Sequence, residues 1–237
     1  MKIRIAYIEE PPFYWTAADG STTGADIELA EVVLRAIGVS SIEYQKTSFD
    51  EFLPGVAGQS WDMNVPIFIT PGRAKLATFS VPVWAIGDGF LVQHGNPKAL
   101  VSYESVASRS DARIALIAGQ VQIDTAKSAG VTDSQIVIFK DQPTAVDALL
   151  AGKVDAYAST AVGNRVIAGA NEKLEAVAHE TRKDGRLPLG GFSFNKSNHD
   201  LIRAVNEQLR KYIGSPDHRA RMAKYGLVEA EIDPVVG

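Results

Sequence analysis

The residues that could do chemistry gather just after short alternating segments. They are Glu9, Glu10, Phe13 and Tyr14; Thr47, Ser48 and Phe49; Pro66, Phe68, Thr70 and Arg73; Gly119, Gln120 and Val121; Asp141 and Gln142; Ser159 and Thr160. In an open parallel sheet, ligands bind beyond the carboxyl ends of the strands, so these positions define a candidate site. A guanidinium such as that of Arg73 offers a rigid fork for a bidentate bond to a carboxylate. Phe13, Phe49 and Phe68 could wall a delocalised or quaternary cation, each contact giving about 0.5–2 kcal/mol. Glu9 or Glu10 would be the acidic partner, and alternation does not choose between them after Pro11-Pro12. Packing roles stand beside these: Phe13 under the two prolines, Phe49 at the apolar end of a helix, Phe68 in a sheet core.

Other chemistries find little support. The chain has no cysteine, which removes disulfides, thiolate metal sites and cysteine nucleophiles. His94, His179, His199 and His218 are scattered, without an HExxH pair, and neither a GxSxG elbow nor a P-loop occurs. No metal or cofactor is expected. Glu9, Glu10 and Asp141 leave acid–base work open, so a lyase stays as the rival class. A sensor-like input module is a third.

A repeated order of elements positions these residues. Ile3, Ile5 and Tyr7 alternate as a strand. Leu29, Val32, Val33, Ala36 and Ile37 mark one face of a helix, with Asp26 at its start and Gly38 past its end. A strand over 41–46, a helix over 50–57 and a strand over 62–65 follow. The same order returns as a strand over 113–118, a helix over 122–129, a strand over 135–139, a helix over 144–151 and a strand over 154–158. Two β-α-β-α-β units predict an α/β protein of two lobes, each a mostly parallel sheet flanked by helices. A strand over 190–194, a helix over 201–213 and a helix from Pro216 to Gly226 complete the chain, with 229–237 as a loose tail. Lobe one is expected over 1–88 and 195–237, and lobe two over 89–194. Two crossings make a two-strand hinge.

The segment Ile67-Phe68-Ile69-Thr70-Pro71-Gly72-Arg73 with Phe79-Ser80-Val81-Pro82 resembles the signature of polar amino-acid-type (family 3) solute-binding proteins of ABC importers. Gly24 to Ala30 and Ala151-Gly152-Lys153-Val154-Asp155-Ala156 resemble two further marks of that family, and the likeness covers nearly the whole chain. It implies the two-lobed type II periplasmic-binding-protein fold and closure on a ligand in the interlobe cleft. It also implies that Arg73 holds the ligand carboxylate, and that backbone N–H groups of Gly119, Gln120 and Val121 assist. The cyclohexadienyl dehydratases, on the same fold, supply the lyase alternative.

Two departures bear on the ligand. Where family members hold an α-ammonium with an Asp at the end of a lobe-two strand, this chain has Thr160, and a hydroxyl cannot neutralise a desolvated ammonium. Phe68 stands where many relatives have Ser or Thr. Glu10, Phe13, Phe49, Phe68 and Arg73, with the stretch from Asp141 through Thr160, are similar to the ectoine/hydroxyectoine-binding members. Ectoine, a betaine, and a basic or polar amino acid are the expected ligands, in that order. Trp15, Trp61 and Trp84 are read as packing or rim residues.

Composition agrees with a free carrier. The 237 residues are 46% hydrophobic and 22% charged, with net charge −4, which gives no footprint for nucleic acid. No apolar stretch approaches the roughly 20 residues of a membrane span. No signal peptide is visible, as in a mature exported chain, so a periplasmic or lipid-anchored extracytoplasmic monomer serving importer membrane subunits is expected.

Overall fold

The computed structural model describes residues 1–179 and 186–237; part of the expected second lobe, 180–185, lies outside them. The chain divides into two compact units, Met1–Ile86 with Pro188–Gly237, and Gly87–Leu187.

The first unit opens with β1 (Lys2–Tyr7), β2 (Trp15–Thr16), β3 (Thr22–Thr23), α1 (Ala25–Ala36) and β4 (Ser41–Lys46). It continues with α2 (Phe52–Ala57), β5 (Met63–Phe68), α3 (Pro71–Ala74), β6 (Thr78–Phe79) and β7 (Trp84–Ala85). The second unit holds β8 (Asp88–Gln93), α4 (Tyr103–Ala107), β9 (Ile114–Ile117), α5 (Gln122–Ser128), β10 (Ile136–Phe139), α6 (Gln142–Leu150), β11 (Ala156–Thr160), α7 (Ala161–Gly169) and β12 (Leu174–Ala178). The chain then returns to the first unit as β13 (Leu189–Phe194), α8 (His199–Tyr212), α9 (Pro216–Ala223) and α10 (Glu229–Ile232).

The first sheet runs β4-β1-β5-β13-β6, with β7 also on β13. Both β4 and β5 pair parallel with β1, and β13 pairs antiparallel with β5. Residues 189–194 thus belong to the first sheet, so the return crossing precedes Leu189 rather than falling near 195. Helix α1 buries Ile27, Leu29, Ala30, Val33 and Leu34. The expected stripe is displaced: Leu34 lies inside while Ala36 is exposed, because the longer side chain takes the core-facing position. The second sheet runs β10-β9-β11-β8-β12. Strands β9, β10 and β11 are parallel, whereas β8 runs antiparallel to β11 and β12. Alternation divides its core between two faces: Phe90, Val92, Leu116 and Ala158 pack with Tyr103 and Ala126, while Leu91, Ala115, Ile117 and Tyr157 pack with Leu149.

The tail is ordered, contrary to expectation. Ile232 is buried and the Glu231 carboxylate accepts from the Val228 N–H at 2.8 Å, so α10 is held by one apolar anchor and a cap. Nearby, His218 is buried in α9, where its Nδ1 accepts from the Gly214 N–H at 3.2 Å. Burial pushes its pKa down to about 4 from 6.5. Folded His218 therefore holds a proton less well than the unfolded chain does. Its stabilisation is complete above 6.5 and is lost as pH falls from there toward about 4. Thermal melts between pH 7 and 4 should show this decline, shared with His179, whose pKa burial also lowers to about 4, and His218→Asn should make it shallower, because the amide still accepts from Gly214 without titrating. An equally steep decline in the variant would show that His218 does not drive it.

Candidate functional site

In the first unit, strand β5 ends at Phe68 and the chain turns at once into α3. The Thr70 hydroxyl caps that helix by accepting from the Arg73 N–H at 3.2 Å, and Pro71 takes the first helical position. This short cap fixes where the Arg73 side chain leaves the backbone. Its guanidinium lies 4.9 Å from the centroid of the Phe49 ring and donates from Nη1 to the Phe68 carbonyl at 2.9 Å. Arg73 is only 8% exposed, so its charge is presented from a fixed seat rather than from a loose surface chain.

Phe49 thus lies against Arg73, a contact that the sequence reading of it as a ligand wall did not include. The other two rings join a cluster around Trp84. The Phe68 ring meets Trp84 edge-on at 5.3 Å, and the Phe13 ring is tilted against it at 6.1 Å. Gly190 of β13 gives the indole its seat, since any Cβ there would overlap the ring. Trp84 Nε1 donates to Asp26 Oδ1 at 3.2 Å.

The two glutamates differ in their surroundings. Glu9 turns to Lys46 at 2.7 Å and accepts from Thr16, while Glu10 is buried and accepts from the Tyr14 hydroxyl at 3.1 Å. Asp26 is fully buried; it is not the helix cap, a position that Gly24 occupies. Burial raises the Asp26 carboxyl well above the ordinary carboxylate range, and nearby Glu10 adds to the rise. Burial likewise raises the Tyr14 hydroxyl, reinforced by Glu10 and Asp26. Asp26 and Trp84 are the members of this cluster that sequence reading did not place at the candidate site. Trp84 was read there as a packing or rim residue.

In the second unit, the ends of β9, β10 and β11 lie along one edge of the sheet. Gly119, Gln120 and Val121 follow β9, with Gln120 buried. Asp141 follows β10 and caps α6, accepting from the Thr144 N–H at 3.0 Å. Thr160 ends β11 and caps α7, its hydroxyl accepting from the Gly163 N–H at 3.1 Å. Asp141 and Thr160 are thus engaged in capping. A further carboxylate stands on this edge. Asp88 is the antiparallel register partner of Thr160. Its oxygens accept from the Tyr103 hydroxyl at 2.6 Å, from Gln122 Nε2 at 3.2 Å and from the Gly89 N–H at 3.1 Å. Burial raises its pKa to about 6, although all three donors favour the charged form. Among the described residues, no group of three metal-ligating side chains occurs, and no helix is long and apolar enough to cross a membrane.

Comparison with known proteins identifies the family and the fold. Residues 3–228 match the model for bacterial extracellular solute-binding proteins, family 3. The chain is 30% identical over 237 residues to the "Probable amino-acid ABC transporter periplasmic-binding protein y4tE" of Sinorhizobium fredii, covering 97% of this chain and 78% of that protein. The crystal structure of EhuB in complex with hydroxyectoine superposes with a TM-score of 0.85 at 24% identity, covering 100% of this chain and 94% of that one. An ancestral arginine-binding protein bound to glutamine gives 0.83 at 22% identity, covering 94% and 97%. The fold is that of the type II periplasmic binding proteins. A carrier of this kind is non-catalytic, works in the extracellular or periplasmic space, and serves an ABC importer for amino acids or related small solutes. On the strength of a family match that spans nearly its whole length, the chain belongs to the bacterial extracellular solute-binding proteins of family 3.

Proposed function

We propose that this carrier captures a small zwitterion, with the ligand carboxylate on Arg73 and its cationic end against Phe13, Phe68 and Glu10. The observation that carries the reading is the seating of Arg73, stacked on Phe49 and tied to the Phe68 carbonyl beside a cluster of rings and carboxylates. A fixed guanidinium loses little freedom on binding a carboxylate. Aromatic faces suit a cyclic amidinium or a quaternary ammonium, whose charge is spread and weakly hydrated. The ligands in order of expectation are ectoine or hydroxyectoine, a betaine, and a basic or polar amino acid. That a structural relative at 24% identity carries hydroxyectoine supports the first.

In this reading Gly119, Gln120, Val121, Asp141 and Thr160 complete the grip when the second unit closes by hinge motion. The ligand drives that closure only by its differential affinity for the closed form. The loaded monomer, periplasmic or held outside the cell by a lipid anchor, then presents itself to the importer's membrane subunits.

A thermal-shift panel of ectoine, hydroxyectoine, glycine betaine and the amino acids tests the reading, which fails if no zwitterion stabilises the protein. Phe68→Ala should weaken the best ligand by about 2 kcal/mol, roughly 30-fold, through loss of a wall and a cation–π contact. Unchanged affinity by calorimetry would leave Phe68 with a packing role against Trp84 alone.

A further inference from the structure

We infer that Asp88 is the specificity-determining carboxylate of the second unit, supplying from β8 the negative charge that Thr160 lacks at the end of β11. This rests on the zwitterion reading above. Three observations carry it.

Position comes first. Asp88 pairs in antiparallel register with Thr160, so both side chains leave the same face of the sheet at the edge where β9, β10 and β11 end. Its carboxylate reaches Gln122, the first residue of α5, immediately after Gly119, Gln120 and Val121. The group therefore stands at the ligand-facing edge without belonging to any of the strands that a forward count along the chain would examine.

Charge is the second observation. The donors to Asp88 are a phenol, an amide and a backbone N–H, all neutral. Among the described residues, no basic side chain stands in ion-pair contact with it. The residue is only partly exposed, and a shielded carboxylate with neutral donors alone is left with an unmet demand for a cation. Such a demand is the usual mark of a group kept for a ligand rather than for stability.

Support is the third. Tyr103 from α4 and Gln122 from α5 hold the carboxylate from two elements, and His179 fixes the strand by donating its N–H to the Asp88 carbonyl at 3.0 Å. The side chain is thus pre-organised, as a binding group must be, rather than free to turn to solvent.

The test uses the wild type, Asp88→Asn and Tyr103→Phe at pH 8, with glycine betaine, ectoine and the amino acids as probes. The amide can still accept from Gln122 and Gly89 and donate to the Tyr103 oxygen. Relief of the uncompensated charge should therefore raise the melting temperature of the ligand-free variant by roughly 2 °C. Its affinity for the best zwitterion should fall about 10-fold or more. Tyr103→Phe keeps the charge, so its affinity should fall less than about 3-fold. Unchanged affinity in Asp88→Asn, an equal loss in Tyr103→Phe, or a ligand-free Asp88→Asn protein that melts no higher than the wild type would overturn the inference. A panel in which nothing binds the wild type would sink the zwitterion reading, and the ligand-free melting comparison would still decide on Asp88.

Discussion

Arg73→Ala is expected to abolish measurable binding of whichever zwitterion the wild type selects. Truncating one partner of a buried, hydrogen-bonded charge pair costs about 2–5 kcal/mol or more, a loss of roughly 30- to 5,000-fold. The Thr70 hydroxyl, which accepts from the Arg73 N–H, can add one O–H donor but no charge, and the Glu10 carboxylate repels an anion rather than attracts it. Arg73→Lys should recover only part of the affinity, since an ammonium keeps the charge but lacks the planar fork that forms two parallel bonds. Calorimetry on both variants, with melting curves to confirm folding, measures the difference. Near-normal affinity in a well-folded Arg73→Ala protein would mean that the carboxylate binds elsewhere.

Gly24→Ala should be a strongly damaging single-methyl change in the first unit. Gly24 has φ +132, a conformation that L residues rarely adopt, and a Cβ there would fall inside the Phe13 carbonyl. That carbonyl accepts the Asp26 N–H at 3.0 Å, and the Pro12 carbonyl accepts the Ala25 N–H at the same distance. The loop that carries Glu10 and Phe13 thus satisfies the open end of α1, and the extra methyl would push the two apart. A loss of about 3 kcal/mol or more, roughly 6–12 °C in melting temperature, is expected, together with weaker ligand binding. Gly38→Ala is the control. It shares a positive φ, +85, but a Cβ there meets nothing within 4 Å, so only about 1–2 kcal/mol should be lost. Equal melting temperatures for the two variants would show that close contact at Gly24 plays no part.

Legibility in the sequence followed physical range. Strands β1, β4, β5, β9, β10 and β11 were readable because their apolar pattern is local, and the residues at their ends were found with them. Strand β8 escaped because it lies between the two β-α-β-α-β units whose repeat marked the other strands, and Gly89 interrupts its apolar run. Helix α7 was missed because its sequence, AVGNRVIAG, is rich in glycine and β-branched residues, and the Thr160 cap and tertiary packing stabilise it instead. Within the candidate site, Arg73, Phe13, Phe68 and the pair Glu9-Glu10 announced themselves by following strands. Asp26 and Asp88 did not, because what defines them is remote: Trp84 lies 58 residues from Asp26, and Gln122 lies 34 from Asp88. No window along the chain contains those partnerships.

The place of β13 has a consequence for biosynthesis. A ribosome delivers residues 87–187 as one uninterrupted stretch, so the second sheet can finish forming while the first still lacks its inner strand. Until Leu189–Phe194 emerges, nascent β5 keeps an unpaired edge for the length of an entire unit, with N–H and C=O groups open to any wandering strand. The half that carries the arginine seat is therefore the last to be completed, and the stretch Met63–Phe68 is where a holdase would be needed during translation.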